Sequence, residues 1–369
     1  MTPQELLHDL IKEAEDNGYF LDLAADLVTA YIDLRGMQPY LGLTLMPRQL
    51  RTSNMYVESD LQFLSVIADD SDRYAESSKK KRAKGASLEV SFGHYDIAVD
   101  IKAQEIDKIK MIFDLRDRES AMNYFLNLMR KLLRYAVDDK HELWAMTALL
   151  EAKIKLSGAD ERKFTLNMID PAGHRKDVNG AWSDPTYNPV TEDILPMIDF
   201  LTGKGKTIRF MGCRTSTARL LQSNEQVNRL VTPNINIQPN LQTSLTALSL
   251  YLNQQRPDDN IPPIITYDRR YHTQTKTEYF MPTSDFLIVC DSDRSFEIER
   301  GIGEETFIVD RALGYIGIGT PESQFMPGDV INVLLHDKKK PTYIEAEQYG
   351  CGAPVLQEYE NVGVLRDIS

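Results

Sequence analysis

The sequence is poor in cysteine and has no closely spaced cysteine pair. Its 369 residues include three cysteines, Cys213, Cys290 and Cys351, and no Cys-x-x-Cys pair occurs. A disulfide framework and a cysteine-rich zinc module therefore do not fit, and we expect a reducing compartment. The six histidines form no His-Glu-x-x-His motif and no pair four positions apart, so a helical zinc site has no support either.

Long apolar runs and an excess of positive charge are also missing. No apolar run approaches the roughly 20 residues that cross a bilayer, so we expect no membrane segment. The residues Met1–Glu5 lack the basic and apolar regions of a signal peptide. Lysine and arginine number 42 against 55 acidic residues, a net charge of −13, which is opposite to that of a protein that coats DNA.

Motifs for catalysis and cofactor binding are incomplete wherever they begin. Gly205-Lys206-Thr207 lacks the glycine five positions earlier that a phosphate loop needs, and a strand follows it rather than a helix. The run Gly314–Gly319 lacks the spacing of a dinucleotide loop, and we expect a flexible or close-packed loop there. Asp69–Asp72 and Asp291–Asp293 lack the spacing of a calcium loop. We therefore assign no catalytic, cofactor-binding or metal-binding residue.

Hydrophobic periodicity predicts an α+β chain. Residues 3–35 have the 3.6-residue pattern of an amphipathic helix, interrupted at Gly18. A second stripe predicts one long helix over 118–156, which Gly158 would end. From residue 159 onward short strands and helices alternate. We find no internal repeat.

Between these helices, the pattern of residues 61–107 predicts a long two-stranded hairpin with a charged tip. The second strand alternates strongly, and its apolar face comprises Leu88, Val90 and Phe92, then Tyr95, Ile97, Val99 and Ile101. The tip carries the basic run Lys79, Lys80, Lys81 and Arg82. A lone hairpin is marginally stable in water, so its apolar face must lie on another surface, of its own chain or of a neighbour. Because no aromatic residues accompany the lysines, we favour an acidic protein surface over nucleic acid as the partner of the tip.

Several motifs of the second half resemble the major capsid proteins of lambda-like tailed phages. Ala181-Trp-Ser-Asp-Pro185 followed by Tyr187–Ile194 resembles the segment that opens the apical domain of that family. The strand and helix from Thr207, the run Ile265–Val289, and the closing Gly352–Leu365 are similar to the elements that follow there. The resemblance is clearest over 160–369, and before that it depends on element order.

The resemblance implies a Hong Kong 97-like capsid fold divided into five parts. These are an N-terminal arm (1–60), an extended β-hairpin loop (61–108), a peripheral domain with a long spine helix (109–190), an apical α/β domain (191–340), and a C-terminal return to the peripheral domain (341–369). The helix at the N-terminus is an elaboration of that plan. This helix would be an arm that clamps neighbouring subunits, or a short scaffold-like segment.

The implied function is that of a major capsid protein of a tailed phage with double-stranded DNA. Subunits would assemble in the host cytoplasm into hexamers and pentamers of an icosahedral shell, the virion capsid, and enclose DNA without sequence-specific binding. Scaffold, portal and decoration proteins would be partners, and no enzyme activity or cofactor is implied. The apolar face of the hairpin and Lys79–Arg82 would contact the adjacent subunit, and a loop with Gly314, Gly317 and Gly319 would approach the ring axis.

Two alternatives stay open at this point. One is an encapsulin-like nanocompartment shell, which encloses an enzyme rather than a genome. The other is a soluble α/β enzyme whose site is assembled from dispersed acidic residues and histidines. The native mass separates a shell protein from the enzyme, because a shell contains many subunits whereas the enzyme would be a monomer or dimer.

Overall fold

The computed structural model describes residues 3–20, 38–58, 87–115, 117–157, 163–232, 242–273, 275–292, 294–299, 306–321, 327–336 and 343–368. The helices within these ranges are α1 (Pro3–Asp16), α2 (Leu41–Leu45), α3 (Ala103–Leu115), α4 (Arg118–Glu151), α5 (Leu195–Thr202), α6 (Thr215–Ser223), α7 (Glu225–Val231) and α8 (Leu245–Gln255). The strands are β1 (Arg48–Leu50), β2 (Met55–Glu58), β3 (Leu88–Ser91), β4 (Gly93–Ile101), β5 (Lys153–Ser157), β6 (Lys163–Asn167), β7 (Arg175–Asp177), β8 (Ile208–Cys213), β9 (Ile264–Thr266), β10 (Arg270–His272), β11 (Thr277–Tyr279), β12 (Phe286–Cys290), β13 (Ser295–Glu299), β14 (Thr306–Asp310), β15 (Gly314–Ile318), β16 (Val330–His336), β17 (Tyr343–Leu356) and β18 (Val362–Arg366). The predicted α+β composition is confirmed.

The first sheet is organised around the long strand β17. It pairs antiparallel with β4, β15 and β16, and β1 adds to β15 in parallel. One face of this sheet packs on α4, because Tyr95 of β4 meets the rings of His141 and Trp144 at 5.0 and 5.5 Å between centroids. The sheet therefore joins segments from the start, the middle and the end of the chain.

The second sheet has the strand order β7-β18-β12-β8-β9. Its central strand, β12, is the continuous apolar run Phe286–Cys290, and all five residues are fully buried. Such a run is typical of a strand that is covered on both faces. Phe286, Ile288 and Cys290 pack with the helices α5, α6 and α8, whereas Leu287 and Val289 pack toward the core of the first sheet. The two sheets therefore share one hydrophobic boundary.

The long helix is confirmed as α4, which spans 34 residues or about 50 Å at 1.5 Å per residue. The side chain of Asp117 accepts a hydrogen bond from the Ser120 amide and so caps the N-terminus of α4. It ends at Glu151, earlier than the predicted residue 156, because Ala152 is left-handed (φ 52°) and β5 follows. The guanidinium of Arg175 donates to the carbonyls of Leu149 and Leu150 at 2.7 and 3.0 Å, so a positive charge sits at the negative end of the helix.

The predicted glycine loop at 314–319 is wrong. Gly314 and Gly317 lie in β15, whose five residues are all buried in the first sheet, and Gly319 follows directly. A β-carbon on Gly317 would lie 2.6 Å from Cζ of Phe92, and one on Gly319 would also meet that ring. One on Gly314 would meet the carbonyl of Val355. These glycines therefore admit close packing inside the sheet and do not form a loop.

Strand pairing also differs from the predicted division into domains. β15 and β16 were expected in the apical domain, but they pair with β17 in the first sheet. β18 was expected in the peripheral domain, but it pairs with β12 in the second sheet. The chain crosses between the sheets more often than contiguous domains allow.

The N-terminal helix packs on its own chain over the described residues. Leu6, Leu7 and Leu10 of α1 are buried in a cluster with α3, α4 and β16. The helix ends before Gly18, which is left-handed as expected for an interruption (φ 71°). The remainder of the predicted arm helix, 21–35, lies outside the described residues.

The packing of Phe92 against β15 gives a stability prediction. Gly317→Ala should lower the free energy of unfolding by about 1–3 kcal/mol, because the new methyl group overpacks the Phe92 ring. Gly212→Ala in β8 is the matched control, since its β-carbon would make ordinary contacts at 3.7 Å. Urea unfolding of the two variants measures the difference. Equal stabilities would contradict the described packing.

Candidate functional site: the base of the extended loop

The strands β2 and β3 bring the two ends of the extended loop together. They pair antiparallel, with Met55 opposite Ser91 and Glu58 opposite Leu88. The first predicted hairpin strand, 61–67, and the basic run Lys79–Arg82 lie outside the described residues. Glu58 and Leu88, at the two ends of the predicted extended loop, therefore lie side by side.

The predicted contact of the apolar hairpin face with a neighbouring subunit is wrong for five of its seven residues. Leu88, Val90, Phe92, Tyr95 and Ile101 are buried within this chain. Ile97 and Val99 are half-buried against the same clusters. The reason is that β4 joins the first sheet beside β17, and the face of that sheet that carries these side chains packs on α4. The sequence pattern indicated a covered face but not which surface covers it.

A buried tyrosine pair fixes the loop base to the first sheet. The Tyr56 hydroxyl lies 2.7 Å from the Tyr315 hydroxyl, which donates to Oε2 of Glu58 at 2.7 Å. The Gln357 amide donates to Oε1 of the same carboxylate at 2.6 Å. Burial raises the pKa of Tyr56 to about 12 and that of Tyr315 further, so both hydroxyls keep their protons at neutral pH. The guanidinium of Arg51 lies 4.6 Å from the centre of the Tyr315 ring.

The outer face of β2 is apolar and open. Met55 is 66% exposed and Val57 is 64% exposed, whereas Tyr56 and Glu58 between them point inward. Within the described ranges β2 pairs only with β3, so its second edge has no strand partner. An open edge that carries exposed apolar side chains is a surface suited to another chain.

An acidic face covers the outer side of the first sheet. Asp96 and Asp100 of β4 and Glu345 and Glu347 of β17 alternate with the buried residues of their strands. Asp100 lies directly opposite Glu345, an arrangement of like charges that destabilises an isolated sheet. Glu345 accepts a hydrogen bond from Nε2 of His336 at 2.6 Å. The other three carboxylates have no ion pair in the described part of the chain.

One turn of α4 gathers buried carboxylates toward the N-terminal segment. Glu142 accepts the amides of Gly42 and Leu43, both at 2.9 Å, and the Tyr267 hydroxyl at 2.6 Å. Asp138 pairs with Arg48, whose Nε also donates to Nδ1 of His141 at 2.9 Å. The residues before β2 are therefore attached to the spine helix by charged hydrogen bonds.

Another buried carboxyl, that of Asp329, lies beside β4. Asp329 accepts from the Tyr95 hydroxyl at 2.5 Å and from the Gln348 amide at 2.6 Å. Loss of solvation raises its pKa to about 6, and the two hydrogen bonds oppose that rise. Among the described residues Oε1 of Gln348 has no hydrogen-bond partner, so reversal of the amide would break no hydrogen bond at that atom.

The motif that carried the family resemblance has a structural role. Asp193 accepts from the indole of Trp182 and the hydroxyl of Tyr187, both at 2.8 Å. Asn224 donates to three carbonyls of residues 182–187 and caps α7. The residues Trp182–Asp193 thus form a closed hydrogen-bonded unit that supports the second sheet.

The described residues offer little for catalysis. No three of their His, Cys, Asp and Glu side chains are grouped to hold a metal ion. Cys213 and Cys290 are buried, and desolvation raises the pKa of each to about 12, so both are poor nucleophiles. None of the described helices is long and apolar enough to span a membrane.

Asp329 gives a prediction on pH dependence. Its folded-state pKa exceeds the unfolded value of about 3.9, so the native state binds the proton more tightly and this group's contribution falls as pH rises from 4 to 6. Asp329→Asn should remove that loss of stability. The side-chain amide of Gln348 can reverse, and its oxygen then accepts a hydrogen bond from the new amide group at position 329. We expect the variant to be about 2–3 kcal/mol more stable than the original protein at pH 8, and equally stable at pH 4.

The matched control is Asp199→Asn. Arg256 lowers the pKa of the exposed Asp199, so its replacement should reduce stability slightly at pH 8. Urea unfolding at the two pH values measures both variants. If Asp329→Asn destabilises the protein equally at pH 4 and pH 8, the carboxyl is not the strained group described.

Comparisons with known proteins identify the fold. A scan against models of protein families finds no match, and no curated protein sequence matches. A solved structure described as a prophage capsid protein of Escherichia coli CFT073 superposes with a TM-score of 0.56 at 14% identity, and covers 94% of this chain and 98% of its own. A phage-related protein of Bordetella bronchiseptica RB50 superposes at 0.50 and 11% identity, and covers 94% and 97%. The predicted Hong Kong 97-like capsid fold is confirmed.

Proposed function

We propose that this chain is the major capsid protein of a tailed phage, and that it assembles into hexamers and pentamers of an icosahedral shell around double-stranded DNA. One observation carries the proposal: the chain shares its fold, over nearly the full length of both partners, with a protein described as a prophage capsid protein. The role is structural rather than enzymatic. The chain would work in the virion after assembly in the host cytoplasm, with scaffold, portal and decoration proteins as further partners.

The loop base supplies the geometry that a shell subunit needs. Residues 59–86 start and end at a pair of strands that the tyrosine pair anchors to the first sheet. A loop that is held at its base and engages the next copy gives a heterologous contact, which closes into rings when the rotation permits. Met55 and Val57 lie at the start of that contact.

We assign the acidic face of the first sheet as the counterpart of the basic run. Lys79, Lys80, Lys81 and Arg82 of one copy would neutralise Asp100 and Glu345 of the next. The like-charge pair is then stabilised by assembly rather than by folding. Such exposed ion pairs are weak one by one, and they weaken further with salt, so the shell would depend on their repetition.

Adding charge to the loop base tests the first contact. Met55→Asp with Val57→Asp should leave the unfolding midpoint nearly unchanged, because both side chains are exposed, but it should reduce shell formation at least tenfold. Leu250→Asp is the control: it is 61% exposed on α8, which packs against the other sheet. Negative-stain electron microscopy and sedimentation measure the yield of shells. Normal shells from the double variant would exclude β2 from the interface.

A charge exchange tests the second contact. Lys79→Glu with Lys81→Glu should block assembly, and so should Asp100→Lys with Glu345→Lys. Co-expression of the two variants should restore shells in which the charges are exchanged. If neither variant assembles and the mixture also fails, the basic run does not contact this face.

The contents of purified shells separate the phage capsid from the nanocompartment. The ratio of absorbance at 260 nm to that at 280 nm in shells isolated from their natural source should indicate nucleic acid. Shells that contain a protein cargo instead would overturn the phage assignment while keeping the shell.

A further inference from the structure

A cationic face lies on the β5–β6 hairpin of this acidic protein. Lys153 and Lys155 of β5 and Lys163 of β6 are exposed on one side, together with Thr165 and Asn167. The other side carries Ile154, Leu156 and Leu166, which are buried in the main core. The lysines therefore stand on a rigid, packed hairpin.

The spine helix extends this face across a groove. A groove of about 350 Å³ separates the hairpin from α4, and its walls include Lys140, Trp144, Thr147, Lys153 and Thr165. The lining contains one carboxylate, Glu151. The four lysines Lys140, Lys153, Lys155 and Lys163 and the threonine hydroxyls thus form one surface, which we call the lysine face.

The charge of the lysine face is not neutralised by the described part of the chain. None of its lysines forms an ion pair there, and Asp96 is the carboxylate that acts on Lys140 from nearby. The turn 158–162, outside the described residues, contributes Asp160, Glu161 and Arg162 in sequence. In a chain with a net charge of −13, a cluster of unpaired lysines marks a surface for a polyanion.

The composition of the face favours nucleic acid over an acidic protein. Protein interfaces are depleted in lysine and depend on exposed apolar or aromatic anchors. None of the lysine-face residues is an exposed large hydrophobic residue, and Trp144 is only 3% exposed, so the face has no anchor for a protein pocket. The lack of a stacking ring excludes single-stranded nucleic acid here, as it does at the basic run Lys79–Arg82, but it does not exclude the backbone of a duplex. Lysines with hydroxyl donors and no base-reading group are suited to phosphates alone.

We propose that the lysine face binds the phosphate backbone of duplex nucleic acid without reading its sequence. This inference rests on the proposed function and extends it, because it names the surface of the subunit that would contact the enclosed DNA. The overall negative charge would keep binding weak, so DNA could still move along the face.

Fluorescence anisotropy with a labelled duplex of about 30 base pairs tests the proposal on the purified full chain. Lys153→Gln, Lys155→Gln and Lys163→Gln together should weaken binding at least tenfold at 50 mM salt. They should also reduce the slope of log affinity against log salt by about 2.7, or 0.9 for each lost phosphate contact. The matched control replaces the exposed Lys12, Lys108 and Lys131 by Gln, which changes net charge equally and should leave the slope within one unit of the original.

Three results would overturn the proposal. One is no binding by the unaltered protein, and another is an equal loss in the control, since overall charge would then explain it. The third is unchanged DNA binding combined with loss of shells, which would make the lysine face a protein contact. Shell formation, followed by electron microscopy, is a separate readout: the triple variant should still assemble, and if no protein assembles the proposed function fails whatever the DNA result.

Discussion

The buried carboxylates Asp138 and Glu142, on one turn of the spine helix, are the constraint on which the rest of the structure depends. These carboxylates are removed from water and are stabilised by Arg48, two amides and Tyr267, which converge on them. Removing one partner of such a buried pair costs about 3–5 kcal/mol. The residues before β2 are therefore held against α4, which places β1 in the first sheet and starts the extended loop at one position.

Packing between these carboxylates and the surface fixes the strands at the loop base. Phe92 fills the space left by Gly317 and Gly319, and the tyrosine pair closes over Glu58, so the strands at the loop base have one orientation. Among the exposed surfaces of the described residues are the apolar side chains of Met55 and Val57, the acidic face and the lysine face. A body that is stable alone but has separate surfaces of opposite sign is suited to repeated weak contacts.

The sequence predicted those parts whose signal is local. The apolar stripe of α4 is periodic over neighbouring residues, so the helix is predicted near its observed position. The sequence did not predict contacts between residues that are far apart along the chain. The glycines at 314–319 have the composition of a loop, although Phe92 packs against them in the structure, and the apolar face of β4 does not reveal that α4 covers it. The bonds between Glu58 and Gln357 and between Gly42 and Glu142 join residues about 300 and 100 positions apart, and no pattern along the chain indicates them.

The native mass of the purified full chain tests the central claim most directly. Sedimentation velocity over a wide range of protein and salt concentrations compares the subunit of 42.1 kDa with its assemblies. The account predicts a uniform particle of many subunits, with hexamers or pentamers as the species released when salt weakens the contacts. A monomer or dimer under every condition would contradict it, and would show that this fold here serves something other than a shell.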